Sequence, residues 1–217
     1  RFTPAGCVRI YAHRDAALAT GAIIAAPSQD PRVLVEEYGA LISPSFVLAP
    51  LDQKERWVQD FGEKKKYERH FGVKMETLGR APFWGVKGMW MWKMDAKSTY
   101  HHGWIQRKDW RWMIVDCGSS ADGSLPTMEN PRFVIWIAVP FGWSKSQYVW
   151  ETLKAPFVRD MRAAGRHPDG TMLPPGHLSM YADDACGGEA SKAQCARQLD
   201  RAAATMVGYG ITESRPK

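Results

Sequence analysis

The chain has 217 residues, 45% of them hydrophobic and 24% charged. That composition belongs to a globular protein and excludes disorder, collagen and coiled coil. Lys and Arg outnumber Asp and Glu by 29 to 23, for a net charge of +6, and the excess is spread thinly. The densest cluster, Lys64-Lys65-Lys66, lies in a stretch from 52 to 72 where acidic residues nearly match basic ones. That mixture reads as a solvated helix face rather than a nucleic-acid footprint. No apolar run approaches the roughly 20 residues of a membrane span. The longest, residues 133–139, is strand-sized and is closed by Pro140.

In chain order, residues 7–13 (CVRIYAH) alternate and are rich in β-formers, which predicts a first strand. A short helical turn at 16–21 and a strand at 22–26 follow. Residues 32–41 suit helix or strand, and 42–48 read as extended. Asp52 and Glu55 form a capping-box pattern, predicting a helix whose buried stripe is Trp57, Val58 and Phe61. The central third reads as a meander of three strands, 88–95, 100–106 and 109–117, the last two joined at Arg107-Lys108. Residues 132–139 are apolar on both faces, which predicts a central strand.

Ser144 with Gln147 predicts the cap of a further helix, with a stripe of Val149, Leu153, Phe157 and Met161 and an interior Pro156. Ser191 with Gln194 predicts the cap of a last helix, carrying Cys195, Leu199, Ala202 and Met206 and ending at Gly208. The tail from about 209 reads as loose. With no internal repeat and no low-complexity linker, the expectation is one α+β domain over 1–217. It has a mainly antiparallel sheet, a central Trp-rich meander and about three flanking helices.

Four cysteines admit two disulfide proposals, a local one between Cys186 and Cys195 and a second between Cys7 and Cys117, against four reduced thiols. Disulfides would imply a secreted or periplasmic protein. The first residue is Arg1 rather than Met, which suits removal of a targeting segment or trimming, and so an organellar destination is the alternative.

The familiar chemical signatures are absent. There is no GxxxxGK[ST], no GxGxxG between strand and helix and no GxSxG, and no cofactor is expected. Cys117, at the end of an apolar strand, could act as a nucleophile activated by His101 or His102 on the neighbouring predicted strand. Metal binding could recruit the same histidines with Asp95 or Asp116, or His177 with Asp183 and Asp184. Adjacent strand histidines point to opposite faces and neither set has ligand spacing, so no metal is expected.

Arg9 or His13 on a first strand, then Ser43-Pro44-Ser45 before the predicted Asp52 helix, resembles the opening of ADP-ribosyltransferase domains. Those begin with an Arg or His on a first strand and continue with a Ser-x-Ser strand. The resemblance covers roughly the first 60 residues, and no Glu-x-Glu follows to supply the catalytic acid. It implies an enzyme anchored on Arg9 or His13 as the alternative reading, beside a Cys/His-dependent transferase or hydrolase.

Ten tryptophans, nine of them from Trp84 to Trp150, are the unusual entry in the composition. Trp57 and Trp136 read as core. Trp90, Trp92, Trp104, Trp110 and Trp112, interleaved with Arg107, Lys108 and Arg111, read as a binding surface, because indole and guanidinium groups favour interfaces and sugar stacking. The expected function is therefore a non-enzymatic binding protein. A protein partner is preferred to a glycan, and nucleic acid is disfavoured.

Overall fold

The structure is a computed structural model. It describes residues 3–48, 55–69, 72–73, 87–163, 165–166, 172–173 and 177–214. Along the chain run α1 (Pro4–Ala19), β1 (Ile23–Ala25), α2 (Pro31–Glu36), β2 (Ile42–Leu48), β3 (Arg56–Gln59), β4 (Trp90–Ala96), β5 (Ile114–Asp116) and β6 (Phe133–Trp136). Then follow α3 (Ser146–Arg162), β7 (Gly165–Arg166), β8 (Met172–Leu173), β9 (Leu178–Tyr181), β10 (Asp184–Glu189), α4 (Lys192–Gly208) and β11 (Glu213–Ser214). Among the described residues, the short 3-10 turns Gly62–Lys66, Thr99–His102 and Arg107–Trp112 lie between them. The class is α+β. The chain divides into two compact units, Arg1–Phe71 with Tyr100–Ser146, and Gly72–Thr99 with Gln147–Lys217.

In the first unit five strands lie in the order β1-β6-β5-β2-β3. Only β2 against β5 is parallel; the other pairs are antiparallel. All four residues of β6 are buried, which is why its sequence is apolar on both faces and why it is a central strand. Ile10, Leu34, Trp57, Phe61, Phe133 and Trp136 are among the buried core residues, and full burial of such side chains contributes about 1.5–3 kcal/mol each.

Residues 7–13 are helical, not the predicted first strand. Thr3 caps α1 by accepting from the Gly6 N–H at 3.2 Å, and Pro4 sits in its first turn. The buried residues Cys7, Ile10 and Arg14 recur at helical spacing, so the alternation in CVRIYAH was incidental. The helix expected from Asp52 is also corrected. Asp52 lies outside the described residues, and Trp57 and Gln59 are the buried alternate positions of strand β3, paired with Val47 and Ser45. Pairing with β2 overrides the helical pattern.

The predicted meander does not form. Residues 103–105 contribute a single bridge, Trp104 to Ala138, and residues 107–112 wind into a 3-10 turn closed by Asp109 N–H to Gln106 O at 2.8 Å. Strand β4 pairs with β10 and β11 in the second unit instead.

That unit holds an antiparallel sheet in the order β11-β4-β10-β9. Helix α4 begins at Ser191, whose hydroxyl accepts from the Gln194 N–H at 3.2 Å, as its sequence predicts. Helix α3 buries Trp150, Lys154, Phe157, Val158 and Met161, a stripe rotated from the predicted one, so that Leu153 is exposed and Val149 half-buried. Its Trp150 indole donates to Ala182 O at 2.7 Å and its Lys154 ammonium to Met180 O at 2.9 Å, tying α3 to the β9 edge. The tail is not loose as far as Ser214: Ile211 is buried and β11 pairs with β4.

None of the four cysteines is in a disulfide. Cys7 lies on α1 rather than on a strand beside Cys117, and Cys186 lies in mid-strand between Lys93 of β4 and Ser179 of β9. The geometry assumed for both bridges is therefore missing.

Candidate functional site

The site with the most convergent chemistry is a groove of about 400 Å³ in the first unit. Its floor is a row of isoleucines in register: Ile24 of β1 opposes Ile135 of β6, which opposes Ile114 of β5. Residues directly opposite across a sheet project from the same face, so three separate segments make one aliphatic surface. Ala25, Pro27 and Tyr38 contribute further lining, and the 3-10 turn Arg107–Trp112 supplies Arg107, Lys108, Trp110 and Arg111.

That turn is tied to its neighbours by hydrogen bonds. The Trp110 indole N–H donates to Ile105 O at 2.9 Å, and the Leu41 N–H donates to Arg111 O at 3.1 Å. The Arg107 guanidinium lies 5.9 Å from the Trp110 ring centre, within cation–π range. Among the described residues, the lining contains three cations and no carboxylate. Asp109, on the same turn, and Glu36 and Glu37, at the end of α2, are close in sequence but do not line it. The groove thus combines an apolar floor with a field that favours anions.

The other residues singled out from sequence are distributed differently. Trp104 is 67% exposed, and Trp112 rests against Tyr67 at 5.9 Å with Arg111 5.0 Å from its ring. Trp90 and Trp92 belong to the second unit. Trp90 is half-exposed under the Lys192 ammonium at 5.6 Å, whereas Trp92 is buried, against the expectation of a surface residue. Its indole packs against β10 at Gly187, where an added Cβ would lie 2.8 Å from the ring.

The nucleophile proposal loses its geometry. Cys117 is fully buried and burial pushes its thiol well up, which keeps it protonated at neutral pH. His101 packs against Trp136 at 5.4 Å, and burial lowers its pKa. Cys117 is level with Arg132, the residue before β6, four residues from Trp136, or roughly 13 Å along an extended chain. His102 shares the His101 turn. Arg9 and His13 lie one turn apart on α1 and face half-buried Glu55, at 3.3 and 3.9 Å. Neither occupies a first strand, and the Ser45 hydroxyl donates to Asp116 O at 2.8 Å. The described residues do not assemble the opening that resembles an ADP-ribosyltransferase. No group of three His, Cys, Asp or Glu among them could hold a metal ion.

The isoleucine floor and Tyr38 were missed in the sequence. The one available signal was Ile114 and Ile135 on successive β-rich runs; the register that aligns them with Ile24 is a tertiary fact. No protein-family model matches the chain, and a search of curated proteins finds no match.

Proposed function

We propose that the chain is a non-enzymatic binding protein whose recognition surface is the groove walled by the Arg107–Trp112 turn, with exposed Trp104 nearby in sequence. The observation that carries this reading is the convergence of Arg107, Lys108, Trp110 and Arg111 with an aliphatic floor and no carboxylate among the described lining residues. Aromatic and Arg anchors around an apolar centre are what protein interfaces concentrate. The buried Cys117 thiol and the ring-packed His101 give an enzyme reading less support. A glycan is the second reading, favoured by the 67% exposure of the Trp104 ring, which leaves a face for sugar stacking.

The test is cross-linking under native conditions, comparing the native chain with a Trp104→Ala/Arg107→Ala double variant. A protein cross-linked within residues 104–111 and lost in the variant supports the reading. Retention of a glycan on an array, lost in the same variant, would transfer it to sugar recognition. Cross-links unaffected by both substitutions would refute this surface.

A further inference from the structure

Resting on that reading, the chemistry of the groove narrows its occupant. Arg107 and Arg111 are four residues apart on a 3-10 turn, which at about 2 Å of rise per residue separates their Cα atoms by roughly 8 Å. Lys108 adds a third cation beside them. One carboxylate cannot engage that whole row, whereas two acidic side chains on alternate residues of an extended chain are about 7 Å apart. The floor beneath, Ile24, Ile135 and Ile114, offers no polar side chain and suits an aliphatic group. Strand β1 is an edge of its sheet and its Ala25 lines the groove. Alternate residues of an edge strand direct their N–H and C=O groups outward, where only a peptide backbone can match them in register.

We infer that the groove receives an extended acidic segment of a partner protein, with an aliphatic side chain on the isoleucine floor and at least two carboxylates toward Arg107, Lys108 and Arg111. Charge complementarity and the adjacent edge strand together favour a peptide over a free amphipathic acid.

The experiment is fluorescence anisotropy with two labelled peptides, Gly-Asp-Leu-Glu-Leu-Asp-Gly and its counterpart with Lys at every acidic position, with octanoate titrated separately by isothermal calorimetry. The acidic peptide should bind at least about tenfold more tightly than the lysine peptide, and should weaken several-fold when salt rises from about 0.05 to 0.5 M. Arg111→Glu should abolish binding while the circular dichroism of the chain stays unchanged. If Arg111→Glu unfolds the chain, Lys108→Glu on the same wall serves instead, with at least a several-fold loss expected. Equal binding of both peptides, lost only on Trp110→Ala, would overturn the acidic inference and leave the protein-binding reading standing. Binding of octanoate with no binding of either peptide would overturn both, and so would no binding by any probe.

Discussion

The Lys64 ammonium is buried against the Phe61 ring, 3.8 Å from its centre, and donates to Met113 Sδ at 3.6 Å. Burial lowers its pKa to about 7, and nearby Glu68 only partly restores it. Above about pH 10.5 the lysine is neutral both folded and unfolded. As pH falls toward 7 the unfolded chain takes the proton first and stability declines, and below 7 the full charging cost is present. Lys64→Met should therefore stabilise the chain by about 2 kcal/mol at pH 6, with the gain shrinking as pH rises through the window from 7 to 10.5. Urea melts at several pH values measure this. Gly187 is a second sensitive position. A Cβ there would stand 2.6 Å from His177 O and 2.8 Å from the Trp92 ring. Because one of those neighbours is backbone, Gly187→Ala should cost about 2 kcal/mol, read as a lower urea midpoint.

Helix α4 was legible because its punctuation is local. Ser191 and Gln194 announce the start, and the chain turns at Gly210, whose φ is +74°. Ser191→Ala should remove that cap and cost about 1 kcal/mol, measurable as a lower melting temperature. Strands β4 and β6 were legible for a similar reason: their runs are short, apolar and bounded by turns. Helix α1 and strand β3 were not. In α1 the cap of Thr3 and Pro4 was outweighed by a coincidental alternation of Cys7, Arg9 and Tyr11. In β3 the partner strand β2, not the sequence of 56–59, decides the state. The Arg107–Trp112 stretch reads in the sequence as a strand junction at Arg107-Lys108 followed by the start of a strand, whereas it forms one 3-10 turn. A 3-10 turn leaves no period in so few residues, and the groove floor depends on register between segments about ninety residues apart, such as Ile24 and Ile114.

Across the whole chain the cysteines give a direct check. Under denaturing, non-reducing conditions four thiols per chain should react with a chromogenic disulfide reagent, whereas in the folded state Cys117 should be silent because it is fully buried. A count of two or none would return the chain to the disulfide reading and to an oxidising compartment. The burial of the indoles has an optical consequence. Trp57, Trp92 and Trp136 are buried with no hydrogen-bond partner on Nε1, so their excited states meet little polar relaxation and should emit toward the blue. Trp104, in water, should emit toward the red and yield first to acrylamide. Trp110, half-buried in the groove, lies between these extremes. Anything entering the groove should therefore shift one spectral component and leave the blue shoulder still, making the chain its own label-free sensor of occupancy.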